Sequence, residues 1–246
     1  MRAPNLTVVL LLASTGCSFA PTGAAPGLDA PHAGRDASPG AADAAADAPP
    51  DAPPDAAAVE QSCAGSPDGT RTLYVAGDPA RPWGARCVGG LTYLPVTEAS
   101  NFGQYTVGGF ATGTTVKTTY PLLRVDPATL AVDIDDQSEA HSSGALAHPN
   151  GPNPVAVTSM PLGVAMDCAG PNSTTGAASI DLTGTPFHVT STFALGGNKD
   201  AGTATTGGQV ITVRGGGKCG WNAPAGANGN PFNAAAGVTV QLAYAP

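Results

Sequence analysis

The sequence predicts an all-β fold, a disulfide-stapled, β-sandwich-like single domain that follows a disordered linker. Three observations predict it. From about Glu60 onward, short apolar runs alternate at regular intervals with turn residues. Four cysteines, Cys63, Cys87, Cys168 and Cys219, fall within that same stretch. No stretch of about ten residues holds a clean helical period.

The strands are read from the apolar runs. Arg71–Ala76, Leu91–Leu94, Leu122–Val125, Leu130–Ile134, Ser179–Leu182, Gln209–Val213 and Gly237–Tyr244 each have strand composition. In the last of these, Val238, Val240, Leu242 and Tyr244 alternate with Thr239, Gln241 and Ala243, a period of two. Turn signals separate the runs at Pro67-Asp68-Gly69, Gly89-Gly90, Asn150-Gly151, Gly196-Gly197-Asn198, Gly207-Gly208 and Gly215-Gly216-Gly217. Composition agrees, with 33 glycines, 24 prolines, 11 % charged residues and 5 % aromatics. Long helices need more Glu, Lys and Arg than this chain supplies.

Charge is unevenly placed. Between Ser18 and Glu60 lie seven acids and one base, whereas from Gln61 onward eleven acids face eight bases. The folded part is therefore close to neutral. It carries no basic patch to neutralise phosphates, which excludes a nucleic-acid partner.

Residues 1–16 read as a lipoprotein signal peptide: Arg2 precedes the apolar run Leu6–Ala13, too short to remain as a membrane span. The run ends at Ser14-Thr15-Gly16-Cys17, which resembles a bacterial lipobox with Ser14 where leucine is usual. Lipidation is assigned to Cys17, since several acyl chains on one residue anchor firmly where one is marginal. The expected location is the cell envelope, lipid-anchored and exposed to the periplasm or the cell surface.

Residues 17–59 form the linker. From Ser18 to Glu60 there are sixteen alanines and eight prolines among forty-three residues. Asp43, Asp47, Asp51 and Asp55 recur every four residues, but the proline pairs at 49–50 and 53–54 remove donors and force their predecessors extended, which excludes a helix there. A polyproline II chain at ~3.1 Å per residue reaches on the order of 100 Å.

Residues 60–246 form the domain. An exported context and four cysteines favour two disulfides over metal ligation. No C-x-x-C occurs, and His141, His148 and His188 all lie far from the cysteines in sequence. Of the three pairings, Cys63–Cys87 with Cys168–Cys219 is the expected one, the first bracketing a hairpin and the second joining two late segments.

The cysteines sit in phrases that resemble the GON domain, a C-terminal module of ADAMTS-type zinc metalloendopeptidases also found in bacterial exported proteins. Cys63-Ala-Gly-Ser-Pro-Asp-Gly-Thr-Arg-Thr-Leu-Tyr-Val75 opens the resemblance, followed by Ala85-Arg-Cys87 and Tyr93-Leu-Pro95. Asn101-Phe102 and Leu123-Arg-Val-Asp126 come next, then Asp167-Cys168, Ile180–Phe187 and Gly217-Lys-Cys219-Gly220 in the same order. The resemblance covers nearly all of residues 60–246. Animal members carry more cysteines, so their full bridge pattern does not transfer. The zinc and peptidase chemistry of the family's usual company belongs to a domain with a His-Glu-x-x-His sequence, which this chain lacks.

Other constellations have plainer readings. Asp133-Ile-Asp135-Asp136 lacks the glycine and terminal glutamate of a calcium loop, and reads as a solvated strand end. His188, after Phe187, reads as a half-buried strand residue. Gly215-Gly216-Gly217 reads as a turn leading into a disulfide, because no helix pattern follows it to hold a phosphate. Asn172-Ser-Thr174 matches a glycosylation sequon, which carries little weight in a bacterial lipoprotein. Trp83 and Trp221 each sit among Gly, Pro or Asn beside a cysteine phrase. They are the candidate ligand contacts, set against packing on the nearby disulfide.

The function expected is a surface-tethered, non-catalytic binding module for a protein or glycan, with no catalytic residues, no metal ligands and no cofactor. The alternative is an accessory role in extracellular zinc metalloendopeptidase activity, and zinc enters only there. Intact-mass spectrometry of membrane-extracted protein is expected to show a mature chain beginning at acylated Cys17; a soluble product starting elsewhere overturns the anchor.

Overall fold

The computed structural model describes residues 59–246. The signal peptide (1–16), Cys17 and all but the last residue of the 17–59 linker lie outside the described residues. Among those described, helical geometry is confined to two three-residue 3-10 turns, Val75–Gly77 and Glu98–Ser100. Everything else that is regular is strand, so the domain is all-β.

Seven strands build the first sheet, every pair antiparallel. In spatial order they are β1 (Gly69–Tyr74), β2 (Pro82–Val88), β3 (Leu91–Pro95), β7 (Leu122–Asp126), β8 (Ala131–Asp133), β19 (Thr239–Tyr244) and β14 (Phe187–Val189). The second sheet runs β15 (Phe193–Gly197), β18 (Gly220–Pro224), β12 (Ala165–Asp167), β4 (Phe102–Thr106), β13 (Gly176–Asp181), β17 (Val210–Gly217) and β16 (Asp200–Ala204). To it are added β6 (Val116–Thr119), paired with β4, and β9 (His141–Ser143), paired with β6. Its one parallel pair is β12 with β4. A small third sheet joins β11 (Val155–Val157), β10 (Leu146–His148) and β5 (Thr112–Gly113).

Both large sheets turn alternate residues into one core, which gives the sandwich-like layering. From the first come Leu123 and Val125 on β7, with Val240 and Leu242 on β19; from the second come Ala178 and Ile180 on β13, with Ile211 and Val213 on β17. The period of two read in the C-terminal segment is therefore realised, with Thr239 and Gln241 facing outward. Polar ties cross the same layer. Tyr120 donates its hydroxyl to the Met160 carbonyl at 2.6 Å, and Leu162 N–H donates to the Ile134 carbonyl at 3.1 Å.

All seven expected strands are present, and three sequence expectations are corrected. Gly215-Gly216-Gly217 is the end of β17, not a turn, and Gly196-Gly197 belongs to β15. Both are ladder segments held by backbone pairing, with β17 against β16 and β13, and β15 against β18. Trp83, a candidate ligand contact, is 3 % exposed and meets the Phe187 ring edge-on at 5.3 Å. It points inward from β2 because its neighbours Pro82 and Gly84 take the outward positions. Trp83 is core.

The expected bridges are the ones formed, Cys63–Cys87 and Cys168–Cys219. The first closes the chain ahead of β1 onto β2, and Cys63 N–H donates to the Thr92 hydroxyl of β3 at 3.0 Å, so it fastens the first sheet's edge to its third strand. Replacing both Cys63 and Cys87 by alanine is expected to lower unfolding free energy by roughly 2–4 kcal/mol. A reduced urea midpoint checks this; an unchanged midpoint contradicts it.

Candidate functional site

The site is organised by Asp167, the last residue of β12, whose neighbour Cys168 carries the second bridge. Asp167 is fully buried, a position a carboxylate tolerates only with its oxygens satisfied. Six donors surround it. Oδ1 accepts from the N–H groups of Ala169 (3.1 Å) and Gly217 (3.0 Å). Oδ2 accepts from the Ser173 hydroxyl (2.9 Å), from both the N–H and hydroxyl of Thr175 (2.8 and 3.0 Å), and from Gly176 N–H (3.2 Å). One side chain thus fastens β12, the 169–175 loop, the start of β13 and the end of β17. Gly216 makes room for it: a Cβ there would collide with the carboxylate.

Above this knot lies a cleft of about 480 Å³. Its floor is the Cys168–Cys219 bridge, of which Cys219 is partly exposed and lines the cleft while Cys168 is buried. Cys219 sits in the tight connection between β17 and β18 with φ at 64°, held there by the bridge. Trp221, on β18, forms one wall. Its indole lies against the Gly196 and Gly197 backbone of β15, so closely that a Cβ on either glycine would strike the ring. Phe110, 52 % exposed, lies at the rim with the Lys218 ammonium 5.0 Å from its ring centroid. Asn150, Asn198 and Asn230 add amide groups to the same cleft.

His148 lines the same cleft although only 4 % exposed, and Tyr105 behind it is fully buried. The Tyr105 hydroxyl is 2.8 Å from His148 Nδ1 and 2.9 Å from Cys168 Sγ. Burial, reinforced by the Asp167 charge, pushes the Tyr105 phenol far above its ordinary range. Burial pushes the His148 imidazole below its own. Both groups are neutral at pH 7, and the disulfide sulfur, which carries no proton, accepts from the phenol. Phe232 covers this pair, its centroid 5.1 Å from the His148 ring and 6.4 Å from that of Tyr105.

The sequence candidates divide cleanly. Trp221 and Cys219 line the cleft with Cys168 buried behind, whereas Cys87 and Trp83 belong to the first sheet and Cys63 is bridged to it. His141 is exposed on β9 with Nδ1 2.7 Å from a Glu98 carboxylate oxygen, and His188 is half-buried on β14 between buried Phe187 and Val189. The acidic triplet is held within the protein, with Arg124 shared by Asp133 and Asp136. Asp133 pairs with Arg124, Asp135 accepts the Ala236 and Gly237 N–H groups, and Asp136 accepts from Ser138, Tyr93 and Arg124. Asn172 lies in an exposed loop at φ 67°.

Sequence reasoning missed Asp167, Tyr105 and His148. Spacing held no signal for the latter two, since their partners lie 43 and 63 positions away. Asp167 did carry one: an acid directly before a cysteine, followed by Ser173, Thr175 and Gly176, is a donor-rich loop waiting for an acceptor.

No family model matches this chain, and neither a curated protein nor a solved structure matches it.

Asp167→Ala strands the buried N–H groups of Gly176 and Gly217 and frees those of Ala169 and Thr175, each buried partner lost costing about 1–3 kcal/mol. The variant is expected to fail to accumulate as folded protein, or to unfold at much lower urea concentration. Stability within about 1 kcal/mol of the parent would refute the knot's role.

Proposed function

We propose that the chain is a non-catalytic binding module of the GON type, held at the cell envelope by lipid on Cys17, and that its ligand is a glycan seated in the Trp221 cleft. The observation that carries this is the combination at one place of an indole laid flat on a glycine backbone and three asparagine side chains. A sugar ring offers an apolar C–H face and a rim of hydroxyls. The first suits an aromatic surface, and the second suits amides, which donate and accept at once. Lys218 adds one positive charge, which favours a saccharide bearing a carboxylate. A cleft of about 480 Å³ is within the range of small-ligand sites.

Rigidity supports the reading. The cleft wall is fixed by a disulfide, by the six bonds to Asp167 and by paired strands, so little ordering entropy is lost on binding. The order of residue phrases from Cys63 to Gly220 supports the GON assignment. An accessory role beside a zinc endopeptidase rests on that resemblance alone. The long acidic tether suits a module that must stand clear of a membrane to meet envelope polymers.

On an array of neutral and acidic glycans, the full chain is expected to retain acidic saccharides. Trp221→Ala is expected to weaken retention at least tenfold, about 1.4 kcal/mol, with unchanged circular dichroism. Retention unaffected by Trp221→Ala removes the cleft from the reading, and no retention of any glycan removes the glycan.

A further inference from the structure

We infer that reduction of the Cys168–Cys219 bridge turns the floor of the cleft into a binding site for one Zn(II) ion, held by the two thiolates and the His148 imidazole. The inference is independent of the glycan reading and rests on a different set of side chains.

Geometry comes first. One ligand atom from each of His148, Cys168 and Cys219 lies within 4.8 Å of the other two. Zinc holds sulfur at ~2.3 Å and nitrogen at ~2.0 Å, so tetrahedral ligands stand about 3.5–4 Å apart. Opening the bond lets the sulfurs separate to that spacing, and the imidazole needs a shift of about 1 Å. Tyr105 already organises the set, its hydroxyl oxygen within hydrogen-bond distance of both His148 Nδ1 and Cys168 Sγ. A hydroxyl fixed beside two ligands is the kind of outer-shell partner that holds ligands in place around a metal. It can also stand as the fourth donor.

Charge decides the metal. Two of the three ligands are buried, His148 at 4 % and Cys168 at 0 % exposed, and Phe232 packs against the His148 ring. Two thiolates exactly balance a divalent cation, whereas a monovalent one leaves a net charge in an apolar surround. Thiolate and imidazole together suit zinc among divalent ions. The Asp167 carboxylate nearby does not compete as a ligand, because its oxygens are already engaged by six donors.

Access makes this bridge the one to open. Cys63 and Cys87 are both 0 % exposed, while Cys219 lines the cleft. A dithiol reductant entering the cleft attacks Cys219 Sγ with one thiolate. The S–S bond breaks with its electron pair on Cys168, where the Tyr105 O–H donates to the departing sulfur. The reductant's second thiol closes on the mixed disulfide and releases Cys219, leaving the reductant as a cyclic disulfide. Two electrons and two protons have passed to the protein sulfurs. Zinc then displaces the two protons and binds both sulfurs as thiolates.

The test uses the full chain, reduced without air on an immobilised dithiol. Alkylation mapping is expected to find Cys168 and Cys219 free and Cys63–Cys87 still bridged. Co(II), the spectroscopic stand-in, is expected to bind at one equivalent with a thiolate-to-cobalt charge-transfer band, and one equivalent of Zn(II) is expected to displace it. The unreduced chain and a Cys168→Ser/Cys219→Ser variant show no band. His148→Ala weakens binding at least tenfold; His148→Gln, which keeps a hydrogen-bonding partner for Tyr105 but not a metal ligand, does the same with the fold intact by circular dichroism. Five results overturn the inference: prior opening of Cys63–Cys87, unfolding on reduction, no band from the folded reduced chain, undiminished binding in the His148 variants, or uptake of Cu(I) but not of Zn(II).

Discussion

A single carboxylate in a dry interior holds the functional end of this domain together. Asp167 has no exposed surface, so every donor it lost would have to be replaced from the protein. Four of its six partners are backbone N–H groups, at Ala169, Thr175, Gly176 and Gly217. The dependence is mutual: the loop's amides need the carboxylate as much as the carboxylate needs them. From this knot follow the position of Cys168 one residue on and the course of β17 alongside, and so the bridge to Cys219 that floors the cleft.

The glycines of this region are consequences of that crowding. Gly216 faces the carboxylate, and Gly196 and Gly197 lie under the Trp221 ring. In each case a methyl group would occupy space already held by another side chain. Backbone pairing supplies the order that side-chain packing does not: β15, β16 and the last turnless stretch of β17 are all ladder-bonded despite their glycines. The first sheet works the other way. There Trp83, Phe187 and Tyr244 meet edge-to-face, and the core is held by large apolar groups.

That contrast explains how much was legible in the sequence. Five strands of the first sheet, and β13 and β17 of the second, were visible because alternation of apolar and polar residues marks a half-buried strand, as in Thr239–Tyr244 with Val240 and Leu242 inside, whereas β2 was not read. β15 (Phe193–Gly197) and β16 (Asp200–Ala204) left no such trace, because their residues are small and largely outward. The same glycines that mark a turn in a sequence also permit close strand packing, and only tertiary context separates the two. The bridges were legible from cysteine number and order. Trp221 and Cys219 were legible as part of a site because they are two residues apart. His148 was not, since it reaches the bridge from β10 of the third sheet, with Tyr105 of β4 between them.

The two layers of the site have opposite chemistry, and their separation is physically required. Above the bridge are Lys218, Phe110 and the asparagines, groups that stay solvated or half-solvated and meet a ligand by exchanging water for it. Below it Tyr105 and Cys168 are closed off, His148 stands at the boundary beside Phe232 with 4 % of its surface exposed, and burial holds the imidazole and the phenol neutral. A charged ligand admitted to the lower layer would need a partner of opposite charge there, and the oxidised bridge offers none. The disulfide is therefore part of the floor on which the cleft rests, with Cys219 facing the cleft and Cys168 buried in the core. Only cleavage of that one bond changes the charge the lower layer can hold, because it alone supplies anionic sulfur beside the imidazole.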